Sequence, residues 1–86
     1  MPLPTRDALR LELRTLLTRL GGNASFDDAD DVFERGVIKS LNLIELIGFI
    51  EDAYGLEISH RDVFEGRLRS VHQLVCFVTE RCGGRA

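Results

Sequence analysis

The chain has 86 residues, of which 44% are hydrophobic and 29% are charged, and its formal net charge is −3. This composition is typical of one small soluble domain and not of a disordered chain. The acidic balance argues against a nucleic-acid partner. The N-terminal stretch MPLPTRDALRLELRTLL has no apolar secretory core, and no apolar run approaches the length that spans a membrane. We therefore expect a cytoplasmic monomer that does not bind membranes.

Hydrophobic periodicity predicts four helices, in chain order, and no convincing strand. The leucines of the first helix are Leu9, Leu13, Leu16, Leu17 and Leu20, and Gly21-Gly22 ends the run. The apolar stripe of the second helix is Leu43, Leu46, Ile47, Ile50 and Tyr54, and Gly55 ends it. Residues 60–65 fit one short helix. The stripe of the last helix is Val71, Leu74, Val75, Val78 and Cys82, before Gly83-Gly84.

A long acidic connection, residues 21–38, separates the first two helices. Its apolar residues, which could hold it against the helices, are Phe26, Val32, Phe33 and Ile38. The pattern favours an all-α fold, a small four-helix bundle with a long loop between the first and second helices and a short third helix. We expect one domain over residues 1–86, with its core at about residues 5–82.

The cysteines and histidines do not form a recognisable site. Cys76 and Cys82 lie six residues apart, which is not the spacing of a CxxC redox pair, and we interpret them as free thiols. His72 and Cys76 could share a helix face, but a metal site needs further ligands that the sequence does not offer. We therefore expect no metal site.

The serines differ in the residue three positions after each of them. A serine that caps a helix often has an acid or amide at that position. This pattern predicts caps at three serines: Ser25 with Asp28, Ser59 with Asp62, and Ser70 with Gln73. Thr5 is a further candidate cap, for the first helix. Ser40 has Leu43 at that position, so its capping box is missing, although a plain N-cap remains an open reading.

The second helix carries more apolar residues than a small bundle can bury, among them Leu41, Ile44 and Phe49. A second face begins at Ser40 and continues at helical spacing through Leu41, Ile44, Glu45 and Gly48. Residues 41–58 contain four acids and no lysine or arginine, whereas the first helix carries four arginines against two acids. An apolar strip bordered by acids favours docking to basic partners. The alternative is an ordinary solvated acidic face.

Catalysis by Ser40 is disfavoured. A nucleophilic serine needs a base and an oxyanion site, but the stretch reads VIKSLNL rather than GxSxG, and neither of the two histidines lies near it in the sequence. We predict a non-enzymatic protein. An exposed hydroxyl at a helix N-terminus can instead be a substrate for another enzyme, and a phosphodiester there would be favoured by the helix dipole.

The stretch GVIKSL, together with the adjoining NLIELIGFIEDAYGLEI, resembles the phosphopantetheine site of acyl and peptidyl carrier proteins. The resemblance extends from about Thr5 to Cys82. It implies a four-helix bundle in which a phosphopantetheinyl transferase, using coenzyme A, attaches 4'-phosphopantetheine to Ser40. The thiol of this arm would hold an acyl or aminoacyl thioester, accepted from a loading enzyme and delivered to a downstream synthase or transferase. The positions that the resemblance implies to be partner-facing are Lys39, Leu41, Ile44, Glu45, Gly48, Glu51, Asp52 and Ile58.

Two positions depart from the family pattern. Lys39, the only lysine of the chain, stands where the family usually has aspartate, and Gly48 stands where it often has a larger apolar residue. The stretches GVIKSL and RDVFEGRLRSVHQL resemble free-standing carriers of glyceryl or methoxymalonyl units in polyketide pathways, and also small aminoacyl and D-alanyl carriers. Two other classes stay open: an unmodified helical adaptor that uses Ser40 only as a cap, and a small DNA-binding domain, which the acidic second helix disfavours.

Overall fold

A computed structural model describes residues 5–22 and 25–82. These residues form four helices, α1 (Arg6–Leu20), α2 (Ser40–Tyr54), α3 (His60–Phe64) and α4 (Val71–Cys82), and no strand. The predicted all-helical fold, with a long first loop and a short third helix, is confirmed. The glycine pair predicted to end the last helix, Gly83-Gly84, lies outside the described residues. No helix within the described ranges is long and apolar enough to cross a membrane.

The predicted leucine stripe forms the buried face of α1. Four of its residues are buried, Leu9, Leu13, Leu16 and Leu17. Thr5 caps the helix as predicted, since its hydroxyl accepts a hydrogen bond from the amide of Ala8 at 3.1 Å. Gly21 ends the helix at a point where a Cβ atom would lie 2.5 Å from the side chain of Val37. The missing side chain therefore lets the first loop pack closely against the end of α1.

The core of the bundle is one cluster to which α1, α2, α4 and the first loop all contribute. Helix α1 packs against both α4 and α2. Leu46 and Ile50 are the fully buried residues of α2, and Leu43, Ile47 and Tyr54 pack against the cluster from the same stripe. The apolar stripe predicted for the second helix is thus the face of α2 that packs against the core.

The first loop is anchored as predicted, with one addition. Phe26, Val32 and Ile38 are buried, and Phe33 packs against the core. Val37 is also buried, although the sequence did not single it out. Backbone hydrogen bonds tie the loop to the segment before α4, because the amide of Val32 donates to the carbonyl of Arg69 at 2.8 Å.

The acids of the loop bind arginines. The carboxylate of Asp28 pairs with Arg10 at 2.9 Å and with Arg14 at 2.7 Å, and the carboxylate of Asp31 pairs with Arg69. Arg14 also lies over the ring of Phe26, with 4.7 Å to its centroid. The positive side of the charge segregation predicted between the first helix and residues 41–58 is thus partly neutralised within the fold.

The predicted cap at Ser25 is wrong. The residues after it form turns and irregular backbone rather than a helix. Asp28, which was to complete the cap, instead holds two arginines of α1 through its carboxylate and accepts the amide of His72 through its carbonyl at 3.0 Å. The Asp28 carboxylate, which the local pattern assigned to a cap, thus forms long-range ion pairs instead.

The capping box predicted at Ser59 is confirmed. The Ser59 hydroxyl accepts from the amide of Asp62, and the Asp62 carboxylate accepts from the amide of Ser59 at 2.9 Å. Asp62 is only 3% exposed and pairs with Arg81 of α4. Burial by itself would raise the pKa of Asp62, but the Ser59 amide and the Arg81 guanidinium together hold it below its ordinary value. This carboxylate therefore joins α3 to α4.

Ser70 and the cysteines occupy α4 and its start. The buried hydroxyl of Ser70 accepts from the amide of Gln73 at 3.1 Å, which confirms the predicted cap. Cys76 and Cys82 are both free, as expected, and both are half-buried. The thiol of Cys82 donates to the carbonyl of Tyr54 at 3.4 Å, and burial raises the pKa of this thiol. In the described ranges, no group of three or more histidine, cysteine, aspartate or glutamate residues could hold a metal ion.

Candidate functional site

Ser40 is the first residue of α2 and is not its N-cap. The capping position is Lys39, whose backbone is extended with φ −109° and ψ 170°. The Lys39 side chain has no hydrogen-bond acceptor, so it cannot accept a hydrogen bond from an amide of the first turn. Instead, the side chain of Asn42 accepts a hydrogen bond from the backbone amide of Lys39, through Oδ1 at 3.1 Å. The reading of Ser40 as a plain N-cap is therefore wrong, and the signal that was missed is Asn42, three residues after Lys39.

The Ser40 side chain is exposed and makes no hydrogen bond to any described residue. Ser59 and Ser70 use their hydroxyls in caps, and Ser25 is exposed in the loop. Ser40 thus joins an accessible, unpartnered hydroxyl to the positive end of a 15-residue helix. A covalent substituent on its oxygen would break no hydrogen bond to the described residues.

The outer face of α2 is apolar at its start. Leu41 is 83% exposed and Ile44 is 73% exposed, although both are large aliphatic residues. Phe49 is 37% exposed and belongs elsewhere, since it borders a shallow groove against Leu11 and Thr15 of α1. The prediction that α2 cannot bury all its apolar residues is confirmed. Two of the three excess residues, Leu41 and Ile44, lie on the face that begins at Ser40.

The acids assigned to the partner face divide into two kinds. Glu45 and Asp52 are exposed and make no ion pair within the described residues. The carboxylate of Glu51 instead accepts the amide of Ile58 at 2.9 Å, which ties the end of α2 to the segment before α3. Ile58 itself packs against the core. The structure therefore gives Glu51 and Ile58 a role within the fold, whereas Glu45 and Asp52 face solvent.

Lys39 is the cation at the start of this face. It is exposed and forms no ion pair with any described residue. Arg35, the nearest arginine before it in the chain, is already paired with Asp30 at 2.8 Å. The outer face thus has a positive residue beside Ser40 and negative residues further along the helix.

Gly48 lies on this outer face of α2, between Lys39 at its start and Asp52 near its end. It is one helical turn from Ile44 and one turn from Asp52, so the three share one face. An added Cβ atom at Gly48 would meet nothing within 4 Å. The face therefore has a notch in its middle, bordered by an apolar residue on one side and an acid on the other.

Comparisons with models of protein families, with curated proteins and with solved structures returned no match. A function is therefore inferred from the residues of this chain and from the resemblance of the stretch around Ser40.

Proposed function

We propose that the protein is a carrier whose Ser40 bears a 4'-phosphopantetheine arm, and that its bundle has the acyl-carrier arrangement. The observation that carries the proposal is the state of Ser40: its hydroxyl is exposed, it makes no hydrogen bond among the described residues, and the capping of α2 is done by Lys39 and Asn42. The serine is therefore unnecessary for the local structure, while its place beside an exposed apolar face suits a modification that partner proteins must reach.

In the proposed reaction, the Ser40 oxygen forms a bond to the β-phosphorus of coenzyme A. The pyrophosphate bond breaks, adenosine 3',5'-bisphosphate leaves, and the hydroxyl proton passes to a base of the transferase. The carrier supplies the hydroxyl and the docking face but no catalytic group. The thiol at the end of the arm then holds an acyl or aminoacyl group as a thioester. Glyceryl, methoxymalonyl and aminoacyl carriers are the subtypes that the sequence favours.

Intact mass spectrometry after incubation with coenzyme A and a broad-specificity phosphopantetheinyl transferase tests the proposal. We expect a gain of one phosphopantetheine in the wild type and in the control Ser25→Ala, whose serine is also exposed. We expect no gain in Ser40→Ala. Modification that persists in Ser40→Ala would refute the assignment. A wild type that several transferases leave unmodified would favour the unmodified adaptor, which would use the same exposed face without an arm.

A further inference from the structure

The start of α2 carries a positive charge that no acid in the described chain neutralises. Lys39 is exposed, occupies the capping position and forms no ion pair with any described residue. The first turn of α2 contains no acid, whereas the first turns of α1 and α3 contain Asp7 and Asp62. Because the aligned peptide dipoles make a helix N-terminus positive, an acid is favourable there and a cation is not. The charge at the start of α2 is therefore the opposite of the one that the helix prefers.

Other cations of the chain do not share this situation. Helix α4 also has no acid in its first turn, but Arg69, which precedes it, is paired with Asp31. Arg19 forms no ion pair within the described ranges, but it lies in the last turn of α1, where a cation is favourable. Lys39 combines an unfavourable place with the lack of an acidic partner among the described residues. An anion beside it would remove both defects.

Two backbone amides at the same place also lack acceptors. Ser40 and Leu41 are the first residues of α2, and their amides donate no hydrogen bond to any described residue. The amides on either side are satisfied, since that of Lys39 donates to Asn42 Oδ1 and that of Asn42 donates to the carbonyl of Lys39 at 2.9 Å. The free amides and the free ammonium group therefore belong to three consecutive residues, and Ser40 is the middle one.

The phosphodiester of the proposed arm is an anion that a covalent bond would hold at this place. Its phosphorus would be bonded to the Ser40 oxygen, and the Cα atoms of Lys39 and Ser40 are neighbours in the chain, about 3.8 Å apart. The lysine side chain is a flexible four-carbon stem that ends in three hydrogen-bond donors, so its ammonium group can reach the phosphate oxygens. The aspartate that is usual at this position in the family that the stretch resembles would instead repel the phosphate.

We propose that Lys39 is a positioning residue for the arm: its ammonium group pairs with the phosphodiester on Ser40 and holds the first atoms of the arm at the start of α2. This role rests on the proposed function, because it requires the phosphodiester. It goes beyond that function by assigning a task to the residue that departs from the family pattern. It also makes the modified protein more stable than the unmodified one, since the phosphodiester supplies the anion that the start of α2 lacks.

Thermal unfolding of the unmodified and the modified protein tests the pair. We expect modification to raise the Tm of the wild type by about 2–8 °C, through the ion pair and the helix end together, and that of Lys39→Gln by less than about half as much. In the unmodified protein, Lys39→Gln should leave Tm unchanged or raise it, because a cation is unfavourable at a helix N-terminus. Lys39→Arg should keep the wild-type gain, and sodium chloride at about 1 M should reduce it.

Arg19→Gln is the matched control, since it removes one exposed cation from α1 and should leave the gain in Tm unchanged. A second readout is local to the arm. The phosphorus NMR line of the phosphodiester should be broader in the wild type and in Lys39→Arg than in Lys39→Gln, because the pair slows the motion of the first atoms of the arm.

Chemical acetylation of the wild type serves where the transferase modifies Lys39→Gln poorly. Lys39 is the only lysine, so N-hydroxysuccinimide acetate removes the same side-chain charge from the unmodified and the modified protein. Hydroxylamine then removes acetyl groups from the thiols.

The role of Lys39 is overturned if modification leaves the Tm of the wild type unchanged, or raises it equally with and without the charge of Lys39. Equal phosphorus line widths in the wild type and in Lys39→Gln would also overturn it, because the arm would then move without restraint from the lysine. Failure of the wild type to gain a phosphopantetheine would count instead against the proposed function.

Discussion

The chain uses its hydroxyl side chains in two ways. Ser59 and Ser70 complete hydrogen bonds at the starts of α3 and α4, and Asp62 shares the bond at Ser59. Ser40 stands at the start of the longer α2 and completes none among the described residues. A hydroxyl that bonds to a helix amide contributes to stability, whereas an exposed one without a partner contributes little.

Alanine substitution should therefore separate these serines. We expect Ser59→Ala and Ser70→Ala each to lower the free energy of unfolding by about 0.5–2 kcal/mol, because each removes a cap. Ser40→Ala should change it by less than about 0.5 kcal/mol, because surface substitutions away from such features have small effects. Urea denaturation at neutral pH measures all three. A loss at Ser40 as large as that at Ser59 would mean that Ser40 supports the helix and that the argument for an attachment point is weakened.

Local sequence rules predicted some of these residues and failed on others for a physical reason. A serine with an acid or amide three residues later identified the caps at Ser59 and Ser70 correctly, because both partners are local. The same pattern at Ser25 failed because Asp28 is bound by arginines 14 and 18 residues away along the chain. No spacing rule anticipates such a contact. At the start of α2, the capping position is Lys39 and not Ser40, and the amide side chain three residues after it is that of Asn42.

At the scale of elements, ionic contacts connect the first loop and the short helix α3 to the longer helices. The first loop is held to α1 through Asp28 and to the segment before α4 through Asp31. The five-residue helix α3 is held to α4 through Asp62 and Arg81, and Arg81 also donates to the carbonyl of Glu57 at 3.2 Å. Helix α3 is too short to be stable alone, so its position depends on this pair and on its capping box.

The contribution of Asp62 should depend on pH in a defined direction. Its folded-state pKa lies below its ordinary value of 3.8, so its ionised form stabilises the fold above about pH 4. This stabilisation is lost as the pH falls through the folded-state pKa. We expect Asp62→Asn to lower the free energy of unfolding by about 1–3 kcal/mol at pH 7, because Arg81 loses a charged partner.

The difference between the wild type and Asp62→Asn should shrink below about pH 4, since a protonated aspartate resembles asparagine. Urea titrations of both proteins between about pH 7 and pH 2.5 would measure this change. Glu57→Gln is a suitable control, because Glu57 is exposed and only its backbone carbonyl contacts Arg81. A gap between wild type and Asp62→Asn that is the same at both ends of the pH range would show that the charge of Asp62 does not matter.

The helices themselves could be predicted from the sequence because their signals are repeated. Each long helix has an apolar residue every three or four positions, so one misleading residue does not change the prediction. The predicted stops at Gly21 and Gly55 are confirmed, and Gly55 adopts the left-handed conformation with φ 67° that ends α2. The path of the first loop could not be predicted, because it is set by single contacts such as those of Arg69 with Asp31 and with the amide of Val32.

Over the whole molecule, the outer face of α2 combines exposed apolar residues with acids that form no ion pair among the described residues. Among the described residues, seven arginines form ion pairs, with acids of the first loop, of α3 and the residue after it, and of α4. Glu45 and Asp52 of α2 form none among the described residues, and they border the exposed side chains of Leu41 and Ile44. The two unpaired acids therefore give this apolar face a negative border. A basic partner would be steered toward this face and then bound by its apolar residues.

Charge and apolar contact should consequently act on different rates of docking. We expect the pair Glu45→Gln and Asp52→Asn to slow association with the transferase, roughly tenfold at low salt, and to flatten its dependence on salt. Glu51 is left intact, because its carboxylate holds the amide of Ile58. Ile44→Ala should mainly speed dissociation, by roughly tenfold, because the interface loses apolar area at about 25 cal/mol per Å².

Surface plasmon resonance without coenzyme A, at two salt concentrations, measures both rates while no modification takes place. Arg19→Gln is the control, since Arg19 is exposed on α1 and forms no ion pair in the described ranges. Arg10 and Arg14 are unsuitable, because removing either would take away one of the two cations that hold Asp28 of the first loop. If Arg19→Gln slows association more than the acidic pair does, the transferase approaches α1 instead. The exposed face of α2 would then lose its assigned partner, and Ser40 alone would support the carrier.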